Sequence, residues 1–162
     1  GLLAGIYMDT KGFSFKTGVR TFEAASFLRK SGAETTEVKK MFTDNLTDFI
    51  QISDIIKSAE IENQIAIAVC PDTVKDTVII AKSADELLNI SGILASFVLA
   101  DIDGSIYISA RSIGEINVQI VLEALGGGGH MNMAGAKISN EPIEKVVEDL
   151  KDAMKKYLRV GE

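Results

Sequence analysis

Four consecutive glycines, Gly126, Gly127, Gly128 and Gly129, run straight into the only histidine of the chain, His130. No regular helix tolerates such a run, because each glycine forfeits roughly 0.5–1 kcal/mol of backbone entropy relative to alanine. The residues before it, Val118, Val121, Leu122 and Leu125, have helical spacing, so one glycine is accounted for as the left-handed residue that ends a helix. The other three predict a loop whose bare amides line an anion or a nucleotide, with His130 at its rim as a hydrogen-bond donor. A tight structural crossing and a lone satisfied histidine are the bland alternatives.

Composition narrows the rest. Of 162 residues, 46% are hydrophobic and 25% charged, which suits one large folded domain or two small ones with a real core. No apolar stretch approaches the roughly 20 residues that span a bilayer, and the opening Gly1-Leu2-Leu3-Ala4-Gly5-Ile6 lacks the charged flank of a signal peptide. That opening, without Met and already reading as the inside of an element, suggests a piece of a longer protein. The single Cys70 follows the apolar run 65–69 and is read as a small buried core residue in a reducing compartment, with no chemistry of its own. A net charge of −6 disfavours a grip on long nucleic acid, which needs a basic face. It leaves room for a small anionic ligand held by local donors.

Two differently patterned halves follow one another. Phe22, Ala25 and Leu28 predict a helix over 20–30, capped by Thr21 and stopped by Gly32, and Val38, Met41 and Phe42 predict another. Leu46, Phe49, Ile50 and Ile56 predict a longer helix joining two lobes. Beyond the polar break 60–64 the period changes, with strands at 65–69 and 94–99 and a helix at 83–88 between them. Asp103-Gly104 before Ile106-Tyr107-Ile108 is a hairpin turn, which explains Asp101 and Asp103 better than a metal pair does. Ile143, Val146, Val147, Leu150, Met154 and Leu158 form one face of a closing helix that opens near Asn140 and Pro142. The fold class is therefore α/β: a helical remnant over 1–43, a helical connector over 44–63, and an α/β domain on a mixed sheet over 64–162.

Three constellations could carry chemistry. Asp9 ends an apolar segment and, taken alone, reads as a cap, since a cation that prefers oxygen ligands needs several of them converging. Ser109-Ala110-Arg111-Ser112 offers a planar guanidinium suited to bidentate phosphate recognition, with hydroxyls as further donors; an exposed strand end is the plain alternative. Gly126 to His130 is followed by Asn132 and the small residues Ala134-Gly135-Ala136. Arg111 and His130 together suggest a phosphate-binding wall.

The stretch from Ser109 to Val118, with the glycine run, His130 and the small-residue tail, resembles the associated C-terminal domain of the DHH phosphoesterase family. The segment Gly5-Ile6-Tyr7-Met8-Asp9-Thr10-Lys11-Gly12-Phe13, with Thr17-Gly18-Val19-Arg20-Thr21-Phe22-Glu23-Ala24-Ala25 and Gly32-Ala33, resembles the end of the catalytic DHH domain. Its form is that of GdpP-type cyclic-di-AMP phosphodiesterases rather than nanoRNA-degrading members or RecJ-like exonucleases. The resemblance implies a phosphodiesterase with two Mn²⁺ ions that opens cyclic-di-AMP to the linear dinucleotide pApA. By position Asp9 becomes a metal ligand, and Ser109, Arg111, Ser112, Gly126, Gly127, Gly128, Gly129 and His130 become the substrate and phosphate-binding set.

With one histidine no Asp-His-His motif exists in this sequence. No catalytic set is complete, and the chain is expected to be the substrate-binding part of the enzyme, inactive alone. The resemblance further implies a cytoplasmic domain of a membrane-anchored bacterial protein, without direct membrane contact or long nucleic acid, and it allows a homodimer. A nanoRNA or single-strand exonuclease is the alternative from the same superfamily. A nucleic-acid-binding and dimerising module like that of alanyl-tRNA synthetases is the alternative from another class, one with no use for a metal aspartate upstream.

Overall fold

The computed structural model describes residues 1–10, 18–34, 36, 40 and 45–161, and these form two compact units, 1–45 and 46–162. The expected helix at Val38, Met41 and Phe42 lies outside the described residues. In the first unit, helix α1 (Leu2–Asp9) buries Leu3 and Ala4 against Ala25 and Leu28 of helix α2 (Val19–Lys30). Thr21 does not cap α2 as its first residue. It sits one turn in and accepts from the Gly18 amide, the back half of a capping box.

The second unit is a three-layer α/β/α sandwich. Helix α3 (Leu46–Lys57) opens it, followed by strands β1 (Glu60–Glu62) and β2 (Ile65–Val69), helix α4 (Thr77–Leu88), strands β3 (Ala95–Ile102) and β4 (Ser105–Ser112), helix α5 (Val118–Glu123), strands β5 (Gly128–His130) and β6 (Met133–Ser139), and helix α6 (Ile143–Val160). The six strands form one mixed sheet in the order β1-β2-β3-β4-β6-β5, with β2 and β3 parallel around α4 and every other pair antiparallel.

Pleat alternation decides what each face meets. Phe97, Leu99, Ile106, Ile108 and Ala110 pack under α5 and α6, against Val118, Val121, Leu122, Val146 and Leu150. Ala66, Ala68, Val98 and Ala100 face the other way, under α3 and α4, against Ile52, Ile55, Ile79, Ile80 and Leu87. The helix expected to join two lobes is thus a packed layer of the second unit, because Ile52 and Ile55 belong to its core. The expected turn at Asp103-Gly104 is present, with φ of 55° and 81° and the Gly104 amide bonded to Asp101 Oδ1. The polar break at 60–64 is also a hairpin: β1 turns through Asn63 and Gln64, both at positive φ, into β2.

Candidate functional site

The glycine run is mostly consumed by the fold of its own chain. Gly126, at φ 79°, donates to Glu123 O while the Gly127 amide donates to Leu122 O, the paired bonds that close a helix through a left-handed residue. Residues 128–130 then form an edge strand paired with β6, not the bare loop expected from the sequence. Two further glycines let that strand cross close to its neighbour. A Cβ on Gly127 would lie 2.5 Å from Gly135 O, and one on Gly129, at φ 150°, would lie 2.5 Å from Ala134 Cα and strike the Met133 carbonyl. Gly128 is different. A Cβ there would meet nothing within 4 Å, and its φ is not in the left-handed region, so the fold itself does not ask for glycine at this position.

Register places most of the expected residues together. Arg111 of β4 lies opposite Met133 of β6, which lies opposite His130 of β5; one row along, Ser109 lies opposite Gly135, which lies opposite Gly128. Alternation puts all six on the sheet face that α4 covers over β3 and β4. That cover stops short of β6. Met133, Gly135, Lys137 and Ser139 are exposed along this face, whereas Ala134 on the reverse is buried. Gly128 beside Gly135 therefore forms a stretch of sheet with no side chains. His130, exposed and without a hydrogen-bond partner among the described residues, stands at one end. Lys137 stands at the other, its ammonium 5.4 Å from the centre of the Tyr107 ring.

Arg111 is held rather than free. Its side chain is 8% exposed, Nε donates to Asp85 Oδ1 at 2.9 Å, and Nη1 donates to the Ala110 carbonyl at 2.9 Å. Nη2 has no hydrogen-bond partner among the described residues, and no buried side-chain nitrogen or oxygen among them is left unsatisfied. Nη2 is accordingly not fully buried and keeps some contact with solvent.

Two expected site residues lie elsewhere. Ser112 is buried on the opposite pleat, where its Oγ accepts from the Gly114 amide and shapes the turn after β4. Asp9 belongs to the first unit, exposed at the last position of α1. The cap there is Thr10, whose Oγ1 donates to Ile6 O at 2.6 Å, and a carboxylate at this end faces the negative pole of the helix. Among the described residues no three His, Cys, Asp or Glu side chains converge. The described residues therefore do not fit a two-ion centre by themselves. No helix among the described residues is long and apolar enough to cross a membrane.

The sequence pattern of the DHHA1 domain matches residues 62–159. The chain belongs to this domain family. Every expected site residue except Asp9 lies inside the DHHA1 match. The chain is 44% identical, over 99% of its length, to the cyclic-di-AMP phosphodiesterase GdpP of Geobacillus thermodenitrificans, of which it covers 25%. It is 43% identical, over 96% of its length, to the cyclic-di-AMP phosphodiesterase PdeA of Listeria monocytogenes, of which it covers 24%. It thus spans about a quarter of the length of these relatives. An exopolyphosphatase-related protein from Bacteroides fragilis shares the fold with a TM-score of 0.86 over 96% of this chain and 48% of that one, at 19% identity.

Asp85, Tyr107 and Lys137 are the residues of this DHHA1 face that sequence reasoning missed. The only signal for Lys137 was the alternation of Met133, Gly135 and Lys137. Asp85 reaches Arg111 from 26 residues away along the chain, and no local pattern announces it.

Proposed function

We propose that this chain is the substrate-holding part of a phosphodiesterase that hydrolyses cyclic-di-AMP to the linear dinucleotide, and that the open face of β4, β6 and β5 is where the substrate rests. The observation that carries this reading is Gly128. Its missing side chain serves nothing in the fold, and it lies beside Gly135 in a row that ends at Ser109, next to the row of His130, Met133 and Arg111. A ligand resting on that strip explains the absence of a Cβ. Identity of 43–44% with two cyclic-di-AMP phosphodiesterases supplies the substrate class.

On this reading His130 donates to a phosphate oxygen, Arg111 offers Nη2 and Ser109 adds a hydroxyl. Asp9 would hold one of two Mn²⁺ ions, with the remaining ligands supplied by parts of a longer protein. Such ions, when bound, supply Lewis-acid stabilisation and an activated water. The parent protein on this reading is membrane-anchored, with this chain on the cytoplasmic side. The test compares two samples with added Mn²⁺. The full-length protein turns over cyclic-di-AMP and the 162-residue chain alone does not; chelator-sensitive turnover by the chain alone would defeat the division of labour.

A further inference from the structure

We propose that Asp85 is a positioning residue for substrate binding: with the Ala110 carbonyl it fixes the plane of the Arg111 guanidinium so that Nη2 is turned outward as a ready donor for a phosphate oxygen. This rests on reading the open face as the phosphate-binding one. A guanidinium is rigid and planar, so holding two of its nitrogens sets the direction of the third. Asp85 holds Nε and Ala110 O holds Nη1, both at 2.9 Å.

The position of Asp85 is itself fixed. Ser96 lies directly opposite Arg111 across the β3–β4 ladder, and its buried Oγ donates at 2.7 Å to the carbonyl of Ala84, the residue before Asp85 in α4. Two adjacent residues of the helix are thus held by two paired residues of the sheet. Stability alone is a weak reason for this arrangement, since Asp85 is 40% exposed and such a partly exposed pair is replaceable by apolar side chains with little loss. An outward Nη2 is what an apolar replacement would not supply. Because Asp85 offsets the charge of Arg111, recognition here works through directed hydrogen bonds rather than net positive charge.

The experiment is a double-mutant cycle in the full-length protein, read as kcat/KM on cyclic-di-AMP, with thermal unfolding recorded for each variant. Asp85→Ala is expected to lower kcat/KM about 10-fold or more, and Asp85→Asn, which keeps the acceptor oxygen, to recover most of that loss. In an Arg111→Ala background, Asp85→Ala is expected to have no further effect; this double variant removes both members of the Arg111–Asp85 pair, so it remains measurable if Asp85→Ala alone folds poorly. Independent losses from the two substitutions, or an Asp85→Ala protein with a lowered melting temperature and unchanged kcat/KM, would overturn the positioning role and leave the phosphate face standing. Unchanged kcat/KM in Arg111→Ala would instead remove Arg111 from that face, and the proposal for Asp85 with it.

Discussion

Gly128 lies directly opposite Gly135 across the β5–β6 ladder, on a part of that sheet face beyond the cover of α4. The flanking glycines answer to the fold and this one does not, so substitutions along the run separate folding from binding.

Gly128→Val places a β-branched side chain in open space on an edge strand, where its backbone is ordinary. The melting temperature is expected to hold, while dinucleotide affinity falls about 10-fold or more as the floor is filled. Gly129→Ala reverses the pattern. Its Cβ meets Ala134 and the Met133 carbonyl at φ 150°, and a loss of about 1–3 kcal/mol in stability is expected. Thermal unfolding and titration calorimetry on both variants check the contrast.

The His130 side chain is exposed and makes no hydrogen bond among the described residues, so His130→Ala is expected to leave stability within about 0.5 kcal/mol. If it donates to a phosphate oxygen, transition-state stabilisation falls by about 1.5–3 kcal/mol. A variant that loses stability and keeps full kcat/KM would return it to a structural role.

Arg111→Lys keeps a charge in a site built for a fork. An ammonium carries its three donors on one nitrogen and lacks the planar spread by which Nε meets Asp85 and Nη1 meets Ala110 O while Nη2 stays available. A drop in kcat/KM of about 10-fold is expected, with a stability loss of about 1–3 kcal/mol from the disrupted buried bonds. Wild-type kinetics in this variant would show that the planar geometry is irrelevant.

Asp9→Asn, at an exposed position, is expected to leave the fold unchanged and to lower both bound Mn²⁺ and kcat in the full-length protein. Metal content measured beside kcat decides; normal values of both would remove Asp9 from the metal centre.

Burial pushes the Cys70 thiol up to about 12 from an ordinary value of 9.0. The folded protein keeps the proton that the unfolded chain releases, so this contribution to stability is complete below about pH 9 and is lost as pH rises from there towards 12. Alkylation at pH 8 is expected to be slow in the folded protein and fast in denaturant. Fast labelling of the native state would contradict the burial.

Helices with an apolar stripe and strands with continuous apolar runs were legible in the sequence, because Ile143 to Leu158 and Ile65 to Val69 repeat with the periods their cores require. β5 and β6 were not, since Gly and Ala carry little strand preference and their pairing is set by neighbours distant in sequence. The same limit governed the site. Residue type marked Arg111, Gly128 and His130. Only register revealed that Ser109 shares their face and that Ser112, one pleat away, does not.

A structure of the full-length protein with a cyclic or linear dinucleotide bound tests the placement of the ligand most directly. The ligand is expected over Gly128 and Gly135, with a phosphate oxygen within hydrogen-bonding distance of His130 and of Arg111 Nη2. A dinucleotide seated elsewhere, with this face of β5 and β6 left open to solvent, would contradict that placement.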